Sequence, residues 1–129
     1  MALMTYREAN QVLWQGVRPA HDGTQVLEWG SANNNTVIIY TVGAGKTLYL
    51  CNLAFFVYVT AVGSGYIEIH NAVPALWKTL SYITLPLNGS NDVDLPYWPP
   101  VEIPAAYSIR VIASNINVFS RAHIFGWEE

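Results

Sequence analysis

Several groups of residues have the types and spacing that chemistry requires. Gly43-Ala44-Gly45-Lys46-Thr47 ends in Gly-Lys-Thr, as a phosphate-binding loop does. That motif needs a further glycine five positions before Gly45, where this chain has Tyr40. It also needs a following helix, whose N-terminal amides face the phosphates. Here Leu48-Tyr49-Leu50-Cys51 follows and reads as strand. A glycine-rich hairpin turn is therefore expected at this position.

The histidines His21, His70 and His123 are the natural metal ligands. His70 and His123 fall on different predicted strands and could meet across a sheet, but neither has a second ligand at a zinc-like spacing. Asp92-Val93-Asp94 offers oxygen ligands at alternate positions without the rest of a calcium loop, so a solvated turn is expected there. Ser81, His70 and Glu68 supply the residue types of a nucleophile, base and orienting acid. Such a set is recognised only by geometry, and no nucleophile elbow accompanies it. The sequence therefore carries no catalytic, cofactor-binding or metal-binding assignment, and a non-enzymatic protein is expected. A metal-dependent enzyme is the outlying alternative.

The elements that would position these residues are strands. Tyr66-Ile67-Glu68-Ile69-His70 alternates, with Ile67 and Ile69 on one face. Tyr107-Ser108-Ile109-Arg110-Val111 does the same, and Thr36–Val42 is rich in β-branched residues. Thr47–Thr60 is long enough for one strand or for two joined by a kink near Asn52. Trp77–Leu85 and Val118–Trp127 complete the clear strands, with shorter candidates at Gln11–Val17 and Gln25–Trp29 and a weak helical turn near Thr5–Gln11. Turn residues separate them at His21-Asp22-Gly23, Gly30–Asn35, Gly43–Gly45, Gly63-Ser64-Gly65 and Asn88–Asn91. Short strands at this spacing predict a single-domain, all-β antiparallel sandwich over residues 21–129, preceded by an N-terminal arm, residues 1–20.

Pro96, Pro99, Pro100 and Pro104 fall within nine residues and exclude an interior strand, because each removes a ladder donor. The segment reads as a stiff extended loop carrying Tyr97 and Trp98, or as an edge segment laid against a neighbour. Of the five tryptophans, most are expected in the core, with Trp98 accessible.

Composition points to how such a domain would live. Of 129 residues only 12% are charged, while 52% are hydrophobic and 13% aromatic. Soluble surfaces ordinarily carry roughly 25–35% charged residues, so part of this surface is expected to be covered by further copies or a larger assembly. Six scattered basic residues and a net charge of −3 disfavour nucleic acid as a partner. The longest apolar stretch, Leu53–Val59, is far short of the ~20 residues that span a bilayer, and Met1–Glu8 lacks a signal-peptide core. Membrane is not an expected partner. The single cysteine, Cys51, allows no intrachain disulfide and suits a reducing cytoplasm.

Val42-Gly43-Ala44-Gly45-Lys46-Thr47-Leu48-Tyr49-Leu50 resembles a V-x-A-G-K-T-x-x-L phrase of small jelly-roll proteins from tailed bacteriophages. There it turns into the long strand that begins the sandwich. The aromatic strand Phe55–Val59, the Gly-Ser-Gly segment, Tyr66–His70 and the proline-rich stretch before Tyr107 fit the same plan, over residues 36–127. Gly43 stands where proline is usual, which changes turn chemistry only. The resemblance implies a jelly-roll-like sandwich and a virion structural protein assembled in the host cytoplasm. Its expected role is capsid decoration (cement), as a homotrimer contacting the major capsid protein or other virion proteins. A tail or fibre component that binds a receptor, or a carbohydrate-binding module, is the alternative. For the glycan case, Asn33–Asn35, Asn88–Asp94 and Trp98 would converge. No catalytic residues or cofactors transfer from the resemblance. The expected contact residues are Tyr97, Trp98, Val101 and Ile103, with Met1–Gln11 reaching a neighbouring chain.

Overall fold

The computed structural model describes residues 23–129. The N-terminal arm, the strand candidate Gln11–Val17, the helical turn at Thr5–Gln11, Trp14 and His21 lie outside the described residues. The rest forms eight strands: β1 (Thr24–Asn33), β2 (Thr36–Thr41), β3 (Leu48–Val59), β4 (Gly63–His70), β5 (Leu76–Leu85), β6 (Ser90–Ile103), β7 (Ser108–Ala113) and β8 (Val118–Glu128). They make two four-stranded antiparallel sheets packed as a sandwich in one domain, β1-β8-β3-β6 in front and β2-β7-β4-β5 behind.

The pairings are nested: β1 with β8, β2 with β7, β3 with β6 and β4 with β5. The chain thus folds like one long hairpin rolled across two layers, and the pairs β3–β8 and β4–β7 close each sheet. This strand order is that of a jelly roll.

Alternation decides which side chains meet between the sheets. Leu53, Phe55, Val57 and Val59 of β3, with Val118, Ala122 and Ile124 of β8 beside them in the same sheet, face Ile67 and Ile69 of β4 and Ile109 and Val111 of β7 in the buried core. Full burial of each large aliphatic or aromatic side chain contributes about 1.5–3 kcal/mol. The kink expected near Asn52 is a bulge. Leu50 pairs with Gly126 and Asn52 with Phe125, which leaves Cys51 as an extra residue in β3. A bulge shifts the period-2 pattern by one, so Leu48 and Leu50 before it and Leu53 after it all point inward. On β8 the crossing needs Gly126, because a Cβ there would strike the Tyr49 carbonyl oxygen.

Several expectations need correction. The proline-rich segment is not a loop but the second half of β6, an edge strand, where prolines are tolerated because the outer side has no ladder to complete. Leu50 pairs with Val101 and Asn52 with Pro96, so Tyr97, Trp98, Pro99 and Pro100 bow out opposite Cys51 alone. Gly43–Gly45 is not a hairpin turn, since β2 and β3 belong to different sheets and the segment crosses between them. Gly63-Ser64-Gly65 opens β4, and the turn is made by Thr60-Ala61-Val62 instead. Gly30–Asn33 extends β1, leaving Asn34-Asn35 as the turn. Asp92-Val93-Asp94 lies within β6. The four described tryptophans are not core residues: Trp29, Trp77 and Trp98 are exposed and Trp127 is half-buried. A two-layer core lined by Leu, Ile and Val leaves little room for indoles.

Gly65 lies where the sheets approach most closely, and a Cβ there would overlap Ser120 Oγ and come within 2.8 Å of Val57 Cγ2. Gly65→Ala is expected to cost about 2 kcal/mol, measured by urea unfolding, without changing the far-ultraviolet spectrum of the folded chain.

Candidate functional site

Each group with chemical potential in the sequence takes a structural place. At the Gly43 crossing, Glu128 Oε2 accepts the Gly43 N–H at 3.2 Å and the Tyr40 hydroxyl at 2.5 Å. A carboxylate of the same chain thus occupies the amide that a phosphate loop would offer. His70 and His123 do not meet, because β4 and β8 lie in opposite sheets. His70 Nε2 sits 3.1 Å from Glu68 Oε1 on the back sheet, while His123 stacks on Trp29 in front, with centroids 5.9 Å apart and 19° between planes. Ser81 pairs with the core residue Ile67, on the opposite face of the sheet from Glu68 and His70, so the triad does not assemble. Among the described residues no cluster of three or more His, Cys, Asp or Glu side chains could hold a metal ion.

The glycan cluster does not converge either. Asn33–Asn35 and Asn88 sit at one end of the sandwich, where Asn33 Nδ2 donates to the Val118 carbonyl at 2.7 Å. Trp98 lies eight residues along β6 from Ser90, roughly 27 Å at strand rise.

What the fold does build is a broad aromatic face on the outside of the front sheet. Register lines it up in rows across β1, β8, β3 and β6: Asn33, Phe119, Tyr58, Ser90; then Ser31, Arg121, Phe56, Asp92; then Trp29, His123, Ala54, Asp94; then Leu27, Phe125, Asn52, Pro96. Leu27 is 70% exposed, Trp29 58%, Tyr58 41% and Phe56 38%. Arg121 lies flat over this surface, its guanidinium carbon 5.7 Å from the Trp29 ring centre and 5.3 Å from that of Phe119. A shallow hollow of about 270 Å³ opens beside it, lined by Ala54, Phe55, Phe56, Asp92, Arg121 and His123. The outer face of the back sheet is more polar, with Arg110, Glu68, His70 and Thr79 around a stacked Tyr66–Tyr82 pair.

The four expected contact residues separate by burial. Trp98 is 56% exposed on the bowed edge, while Ile103 is fully buried in the core and offers no surface to a partner. Its register explains this: Ile103 pairs with Leu48 of β3, and both point between the sheets. Val101 is half-buried against the core, as is Tyr97. The Tyr97 hydroxyl is buried with no hydrogen-bond partner among the described residues, and burial pushes its pKa up. Sequence reasoning missed Leu27, Trp29, Phe56 and Tyr58. The signal was the unbroken apolar run Leu53–Val59, since a strand apolar on both faces is one expected to be covered on both.

No family model and no characterised protein matches the sequence. Among solved structures the chain is similar to the coat protein of Tobacco streak virus, at 9% identity and TM-score 0.36, over 87% of this chain and 90% of that one. It is similar to a chain of the Bacillus endospore appendages, disulfide-linked pili, at 13% identity and TM-score 0.34, over 81% and 86%. A third likeness is to the capsular polysaccharide assembling protein CapF of Staphylococcus aureus, at 10% identity and TM-score 0.32. It covers 81% of this chain and 24% of that one. Identities and scores this low assign no function.

Burial, then the hydrogen bond to Glu128 and the charges of Glu128 and Glu28, push the Tyr40 pKa up from 10 to about 12. The folded state therefore holds the phenol proton more tightly than the unfolded chain does. That contribution is complete below pH 10 and is lost as pH rises from 10 towards 12. Tyr40→Phe should flatten the fall in stability over this alkaline window, read as thermal midpoint against pH. A wild-type-like slope in the variant would place the effect elsewhere.

Proposed function

We propose that this chain is a non-enzymatic structural subunit of a virion, with capsid decoration as its setting. The supporting observation is the exposed apolar surface on a weakly charged domain: Leu27, Trp29, Phe56 and Tyr58 on one sheet face and Trp98 on its edge. Monomeric soluble proteins rarely expose contiguous apolar patches beyond a few hundred Å² unless these serve binding. Burying such area contributes about 25 cal/mol per Å² before the costs of association. The phage setting rests on the resemblance of the Val42–Leu50 crossing to small phage jelly rolls.

On this reading, β6 is the docking edge. Its bowed residues Tyr97–Pro100 hold Trp98 clear of the sheet, where an indole can anchor in a neighbouring protein as interface tryptophans do. Tyr97 and Val101, both half-buried, brace the bow from within.

In purified particles from producing cells, the chain should occur in fixed ratio to the major shell protein, counted by quantitative mass spectrometry. Antibody labelling should decorate heads; labelling confined to tails would move the role to the tail or fibre, and absence from particles would overturn it. Trp98→Ala should weaken attachment to stripped particles about tenfold or more. Its unfolding free energy should stay within about 0.5 kcal/mol of wild type.

A further inference from the structure

We propose that the outer aromatic face of the front sheet is covered by the same face of a second copy of this chain, related by a two-fold axis that runs parallel to the strands between β8 and β3. This rests on the reading of the chain as a self-associating structural subunit and names the surface that does the associating.

Size is the first argument. Four strands about 4.8 Å apart and roughly ten residues long present a plan area of roughly 600 Å². Stable interfaces bury about 800 Å² of accessible surface per partner, which a relief of large side chains over that plan supplies. The second argument is charge. The face carries the cation Arg121 on β8, with His123 beside it on that strand, and carboxylates on β6, Asp92 and Asp94, with β3 between them. Among the described residues neither aspartate forms an ion pair with Arg121. Instead Arg121 leans away from β6, over the Trp29 ring on β1.

An isologous contact is self-complementary: residue i meets the partner's residue j, and j meets i. The stated axis lays the partner's β6 over β1 and the partner's β3 over β8, with each row of the register kept at its own level. Arg121 then reaches the partner's Asp92, which lies in its row, and Trp29 and His123 reach the partner's Asp94. Both pairs form twice. The hollow beside Ala54 and Phe56 lies next to the axis, where it receives the partner's His123 and Arg121. Ala54, the smallest residue of its row, leaves the space for them. Such a contact closes at two copies, or at even-numbered assemblies built from pairs, in place of the trimer that the resemblance implies.

The test is charge exchange on the full chain. Sedimentation equilibrium of the wild type should give twice the chain mass. Arg121→Asp and Asp92→Arg should each raise the dimer dissociation constant about tenfold or more, and Arg121→Asp combined with Asp92→Arg should bring it back towards wild type. Both residues are exposed, and unchanged thermal midpoints would show that the fold is intact. A monomeric or trimeric wild type, single variants that dimerise normally, or a double variant weaker than either single would overturn the proposal. A monomer that still attaches to particles would leave the structural role standing. A dimer with rescue by charge exchange that never enters particles would leave this contact standing and remove that role.

Discussion

The phase of β3 is the constraint on which the rest of the molecule depends. This strand lies inside the front sheet, paired on one side with β6 and on the other with β8, and it supplies much of the core. A one-residue slip in a strand turns every side chain to the other face. Within β3 that slip is made at Cys51. Without the bulge, Leu48 and Leu50 or Leu53, Phe55, Val57 and Val59 would point away from the back sheet. The neighbours accommodate it in different ways. On one side β8 passes with Gly126, where no side chain obstructs the Tyr49 carbonyl, and on the other β6 bows out between Pro96 and Val101. The exposed position of Trp98 is thus a consequence of how the core is phased.

The same strand accounts for the functional surface. Its outward residues Ala54, Phe56 and Tyr58 are as apolar as its inward ones, and β1 and β8 continue the pattern with Leu27, Trp29, Phe119 and Phe125. The front sheet thus turns a dense aromatic set outward, whereas the back sheet mixes Glu68, His70 and Arg110 with exposed Ile38, Leu76 and Tyr82. No arrangement of nucleophile, metal ligands or phosphate-binding amides competes for that surface among the described residues. The groups that resembled such sites are spent on structure: Glu128 closes the Gly43 crossing, and His70 is paired with Glu68.

The fold class was legible because strand alternation is local. Ile67 and Ile69, or Ile109 and Val111, announce an inner face wherever their partners lie. The long strand and the kink near Asn52 were legible for the same reason. Glycine misled where its role was tertiary. Gly63 and Gly65 read as a turn, yet they serve close packing against β8 and β3, contacts far away in sequence. Proline misled in part, since it excludes an interior strand but permits an edge, and edge position is a property of the whole sheet. Ile103 was assigned to the surface by its proline neighbours, although its pairing with Leu48 sends it into the core. Of the aromatic front face the sequence showed only the apolar run Leu53–Val59, because the rest is assembled from β1 and β8, which meet β3 only after the chain has rolled up.

If the front face is covered in solution and the back face is not, dilution should uncover the first and leave the second unchanged. Hydroxyl-radical footprinting of the full chain over a dilution series tests this residue by residue. Oxidation of Trp29, Phe56 and Tyr58 is expected to fall as concentration rises, while Tyr82, 62% exposed on the back sheet, keeps a constant rate. Trp29 oxidised at the same rate across the whole series, with Tyr82 protected instead, would contradict it.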